Sequence, residues 1–149
     1  MDYITRTNDM EPFPSYSSGR EASHHTLTVA LQGFAHFSQG LATGNWDEFI
    51  EMLTDDFTFW FPTGAFHGMN VGKERAIAFF NYVSDTFNEG LSITLDRVTS
   101  NETTVVFEFR DEGKMRGEVY KNRVAVSFDV RDNQICGYRE YFGSNGTSN

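Results

Sequence analysis

The stretch Arg123-Val-Ala-Val-Ser-Phe-Asp-Val-Arg131 decides the fold. Val124, Val126, Phe128 and Val130 alternate strictly with Arg123, Ala125, Ser127, Asp129 and Arg131. Strand side chains point to opposite faces in turn, so this run is a strand with one apolar and one mostly polar face. Asp132-Asn133 supplies a tight turn, and Gln134 to Phe142 forms the last strand. Working back, Val105, Phe107 and Phe109 alternate with Val106, Glu108 and Arg110, and Leu91, Ile93 and Leu95 alternate with Ser92, Thr94 and Asp96. From Leu91 onward the chain is therefore an antiparallel meander.

Upstream the period changes. Leu27, Ala30, Leu31, Phe34, Phe37, Ser38 and Leu41 recur at helical spacing, which predicts a helix over 23–42. Gly44 suits a left-handed C-terminal cap. A second helix follows with Trp46, Phe49, Ile50 and Leu53 inward; Asn45 as its cap and Glu48 form a capping-box-like pair. Phe57-Thr-Phe-Trp-Phe61 is a short strand stopped by Pro62. A loop over 63–71 follows, then a third helix over 73–88 with Ala76, Phe79, Phe80, Val83 and Phe87 inward. Helices first and strands afterwards predict an α+β domain: about three helices packed on a curved, mostly antiparallel sheet of four to six strands. Residues 1–22 are expected to be a flexible tail, 23–143 the domain and 144–149 a frayed end.

The composition bounds the function. The chain has 149 residues, enough for one domain with a sizeable core, and 15 Phe, 6 Tyr and 2 Trp supply large apolar volume. The net charge of −9, with no basic run, argues against nucleic acid and anionic membrane as partners. The one cysteine, Cys136, cannot form a disulfide within the chain, which suits the cytoplasm. There is no run of about 18 apolar residues to span a membrane. His24, His25, His36 and His67 lack ligand-like spacing with carboxylates, so no metal site is expected.

The element order resembles the nuclear transport factor 2-like superfamily, and most closely its SnoaL-like, ketosteroid isomerase-related branch. The resemblance is carried by Gly44-Asn-Trp-Asp47, Leu53-Thr-Asp-Asp-Phe57, Val71-Gly-Lys-Glu-Arg-Ala-Ile77, Val130-Arg-Asp-Asn-Gln-Ile135 and Arg139-Glu-Tyr-Phe142, and covers about 25–142. It implies a cone with a small-molecule cavity walled by the inner sheet face, the first helix and the loop 62–72. It also implies a homodimer through the outer sheet face. The polar groups of the isomerase fall on Phe61, Phe37 and Val126, which can neither move a proton nor donate a hydrogen bond, so chemistry of that design is not expected here.

Polar candidates must come from elsewhere. Strand parity puts Tyr120 and Asn122 with Val124 and Val126; the resemblance puts Tyr138, Glu140 and Phe142 inside as well, and His67 in the loop over the mouth. A carboxylate among rings loses solvation, so Glu140 is the expected general acid or base, with His67 or Tyr138 assisting. Tyr120 and Asn122 would orient a carbonyl or hydroxyl, while Phe37, Phe59, Phe61, Phe107 and Val126 would line the pocket. The expected ligand is a hydrophobic carbonyl compound turned over without a cofactor. A non-catalytic binder and a dimeric interaction module are the competing uses.

Overall fold

The computed structural model describes residues 20–143. The tail expected over 1–22 lies outside the described residues up to position 19, as does the end 144–149. The elements are α1 (Arg20–Thr43), α2 (Asp47–Glu51), β1 (Leu53–Phe61), β2 (Gly68–Val71), α3 (Lys73–Thr86), β3 (Leu91–Ser100), β4 (Thr104–Met115), β5 (Glu118–Arg131) and β6 (Gln134–Phe142). They form one sheet in the order β2-β1-β6-β5-β4-β3, with the helices against one face. All neighbouring pairs are antiparallel except β1 with β6. The α+β architecture is the one the sequence predicts.

The boundaries differ in instructive ways. α1 starts at Arg20, so the expected tail ends earlier than residue 22. Within α1, Leu31 faces out at 44% exposure, while Val29, Ala30, Phe34, Phe37 and Leu41 are buried. Gly44 does end the helix, at φ +81°, and its amide donates to Gly40 O at 2.8 Å. The capping box on α2 does not form. Asn45 Oδ1 accepts the Asp47 amide instead, and Glu48 pairs with His36 Nδ1 at 2.8 Å. Leu53 belongs to β1 rather than α2. β1 begins four residues before Phe57, because Leu53 already pairs with Ile135 of β6 across an irregular stretch holding Asp55 and Asp56. Aspartates are poor strand formers, which hides this start from a reading of the sequence.

The loop expected over 63–71 contains a 3-10 turn, Gly64–Phe66, and the edge strand β2. Asn70 is buried and stitches this segment: its amide donates to Phe66 O and Gly68 O, and its Oδ1 accepts from Arg75 Nε. α3 ends at Thr86, two residues before the expected 88.

The core is aromatic. Phe34 stacks on Phe107 at 4.2 Å between centroids, and Phe37 contacts Phe49, Phe109, Phe128 and Tyr138. Offset and edge-to-face ring pairs of this kind favour one packing over others. Among the described residues no helix is long and apolar enough to cross a membrane.

Candidate active site

Alternation along the late strands aims one set of side chains at α1 and α3. Register then sets the rows: Phe107, Val126 and Glu140 lie side by side across β4, β5 and β6, and Asp111 lies opposite Asn122. The sheet and the helices do not close completely. A cavity of about 290 Å³ remains between the C-terminal half of α3 and the inner sheet face. Its walls are mainly Phe37, Leu41, Phe61, Phe80, Phe87, Phe109 and Phe142, with Tyr82, Thr63 and Thr86 among the lining polar side chains. Four further polar groups line it: Asp111, Tyr120, Tyr138 and Glu140.

Tyr138 is 1% exposed and donates a hydrogen bond to Glu140 Oε1. Glu140 is half-buried and lines the cavity. Loss of solvation pushes its carboxyl up to about 7; the Tyr138 hydroxyl pulls the other way, and the Asp111 charge adds to the rise. Arg139, on the other face of β6, pairs with Asp129 at 2.7 Å. Burial raises the Tyr138 phenol well above its ordinary value, with the Glu140 charge adding to it.

Asp111 is the ionisable group of the cavity nearest in kind to Glu140, and the sequence reading does not include it. It is 6% exposed, and burial pushes its carboxyl up to about 7, partly offset by the main-chain amides of Asp111 and Asn122. Its Oδ1 has no hydrogen-bond partner among the described residues. The signal is present in the chain: carrying the alternation of Phe107 and Phe109 two residues further puts Asp111 inside. Tyr120 Oη accepts from Asn122 Nδ2 at 3.0 Å and keeps its own proton to donate. Burial first, and then the Asp111 charge, push that phenol up to about 12.

Of the residues expected at the site, the structure brings Phe37, Phe61, Tyr120, Tyr138 and Glu140 to the cavity. Phe59, Phe107 and Val126 are fully buried in the core and do not line it. Asn122 is buried behind Tyr120 and borders a neighbouring groove instead. His67 does not cover the mouth. It is exposed, with its ring 6.3 Å from Trp60, because the turn at Gly64–Phe66 buries Phe66 and sends the next side chain outward. Cys136 is half-buried, burial raises its thiol, and its Sγ donates to Asp129 O. Among the described residues no three His, Cys, Asp or Glu side chains converge as metal ligands would.

Comparison with known proteins bears on this geometry. The SnoaL-like domain family matches residues 34–138. The chain is similar to an NTF2-like protein of Anabaena variabilis, with 65% identity, a TM-score of 0.82, and coverage of 91% of this chain and 100% of that one. At 20% identity it shares its fold with an LEH-like epoxide hydrolase of M. tuberculosis, with a TM-score of 0.62 over 78% of this chain and 84% of that one. At 16% identity it shares its fold with SalBIII, an epoxide hydrolase/cyclase-like enzyme with a role in pyran ring formation in salinomycin, with a TM-score of 0.66 over 82% and 96% of the two chains. No curated protein matches.

Proposed function

This chain belongs to the SnoaL-like domain family, and from that premise we propose that its cavity is the active site of an acid–base enzyme acting on a hydrophobic carbonyl compound. The reading is carried by one observation: the Glu140 carboxyl, held by Tyr138, lines an aromatic cavity and has its ionisation moved up to about 7. A general base works best when its pKa lies near the working pH. The Glu140 carboxylate takes a proton from the carbon next to the carbonyl. The C–H electron pair becomes the new C=C bond, and the carbonyl oxygen receives the displaced charge and a hydrogen bond from the Tyr120 hydroxyl. Glu140, now protonated, returns the proton to another carbon or to the same one. That step is carried by side chains and uses no cofactor. With a single cysteine, the cytoplasm is the proposed setting.

Proton–deuterium exchange next to the carbonyl of 4-phenyl-2-butanone in D2O, followed by proton NMR, tests this without knowledge of the product. Exchange faster than in buffer is expected, and Glu140→Gln should slow it at least about 100-fold. Full exchange in that variant disposes of the role.

We also propose that two copies pair through the outer sheet face. There Trp60 stacks on Tyr141 at 5.2 Å, and Tyr141, Met69 and Val71 are 51%, 54% and 68% exposed on the same side. A contiguous apolar patch of this kind marks an interaction surface.

A further inference from the structure

The cavity has an electrostatic peculiarity. Two carboxyls, Asp111 and Glu140, line it, and none of the described lining residues is Lys, Arg or His. Both acids act on the same phenols, so their charges are felt together. An anionic ligand meets no compensating charge there, and a neutral one leaves both carboxyls as uncompensated as they are without it.

We propose that the substrate carries a basic nitrogen as well as its carbonyl, and that this nitrogen binds as an ammonium ion at Asp111. The inference rests on reading the cavity as a substrate site with Glu140 as its proton carrier. Four observations carry it. Asp111 is more than nine-tenths buried in the cavity wall, and its Oδ1 has no hydrogen-bond partner among the described residues. A buried acceptor without a donor is rare in folded proteins, and an ammonium supplies three donors together with the missing positive charge. Rings are prominent in the cavity's lining, Phe37, Phe80, Phe87 and Phe109 among them, and aromatic faces attract a cation that has left water. Tyr120 and Asn122, the polar neighbours of Asp111, carry no charge of their own to satisfy it. The volume of about 290 Å³ sits at the small end of ligand pockets, so a one-ring compound is the right size.

Isothermal titration of the full chain at pH 8 with 2-phenylethylamine and with 2-phenylethanol isolates the charge, since the two probes have nearly the same shape. The amine is expected to bind at least tenfold more tightly than the alcohol, and Asp111→Asn to bring the ratio near one. A ratio below tenfold in the unmodified protein overturns the inference whether or not the variant folds. A tenfold ratio that survives in a folded Asp111→Asn also overturns it, because the amine then sits elsewhere. If the alcohol binds as well as the amine, only the ammonium falls and the acid–base reading stands. If neither probe binds, the ammonium inference falls, and exchange of 4-phenyl-2-butanone decides the acid–base reading by itself.

Discussion

Tyr138 Oη donates a hydrogen bond to Glu140 Oε1, and the two residues stand two apart on β6, so both face the interior. The phenol favours the charged carboxylate, whereas burial and the Asp111 charge oppose it. Removing each partner should therefore move Glu140 in opposite directions. Tyr138→Phe takes away a stabilising donor and should raise the carboxyl's midpoint above about 7. Asp111→Asn removes a neighbouring negative charge and should lower it. Carbon-13 NMR titration of labelled glutamate side chains reads both changes without any substrate. A midpoint near the ordinary carboxylate value of 4.5 in the unmodified protein would contradict this account of the site.

The same two acids should make stability fall as pH rises. Their folded values, about 7, lie above their ordinary values of 3.8 and 4.5. Between about pH 4 and 7 the folded chain then binds more protons than the unfolded one. The stabilising contribution is full below the unfolded values and is lost as pH climbs through the folded ones. A tenfold change in an ionisation constant corresponds to about 1.4 kcal/mol, so the rise from 3.8 to about 7 at Asp111 corresponds to something on the order of 4 kcal/mol. Glu140 accounts for less, because water partly reaches it. The exposed pairs Asp56–Arg131 and Asp96–Arg110 run the other way, but such surface pairs contribute little. Thermal melts from pH 4.5 to 8 should show Tm dropping, and Glu140→Gln should flatten the curve and gain roughly 5 °C at pH 8. Parallel curves for the two proteins would rule this out.

How much of the site is legible in the chain depends on how far each rule is carried. The period of two exposes the inner face of the late strands and puts Tyr120 there, while the family resemblance brings Tyr138 and Glu140 inside; all three line the cavity. Asp111 escapes an alternation followed only to Arg110, although the strand runs to Met115. Periodicity separates inside from outside but not core from cavity. Phe107 and Phe37 are both buried, yet only Phe37 lines the cavity, since that depends on how far α3 stands from the sheet. His67 is misplaced because a turn of three residues, Gly64–Phe66, has no periodic signal to fix its facing. β2 is hidden for a similar reason: four residues beginning with glycine give too little pattern to distinguish strand from loop.

Pairing of two copies through the outer face makes its own demand. Tyr141 is half exposed over Trp60, on the side of β6 away from the cavity. Sedimentation velocity at micromolar concentration should give a dimer. Tyr141→Glu places a charge in the apolar patch and should yield a monomer that still binds 2-phenylethylamine. A monomer before any substitution would remove the proposal of pairing and leave the cavity untouched.

Two glycines of α1 separate close packing from tolerable crowding. A methyl group added at Gly40 would lie 2.3 Å from the Trp46 ring, and one at Gly33 would lie 2.4 Å from Ile135 Cδ1. The distances match, but the neighbours differ. Ile135 meets Gly33 with the end of a side chain that can rotate. Trp46 is a rigid ring held by its Nε1 donating to Ser84 Oγ at 2.6 Å and by Phe80 at 4.7 Å. Gly40→Ala must therefore push the indole off Ser84 and into Phe80, a cavity wall residue, with a cost of about 1–3 kcal/mol for overpacking. The alanine's better helix propensity, roughly 1 kcal/mol, applies equally at both sites and cancels in the comparison. Urea unfolding should show a larger loss in midpoint for Gly40→Ala than for Gly33→Ala at unchanged m. The tryptophan emission should shift only in the former, since only there is the Trp46 ring displaced. If Gly33→Ala proves the more costly, the indole is not the rigid wedge between α1 and α3 that its contacts describe.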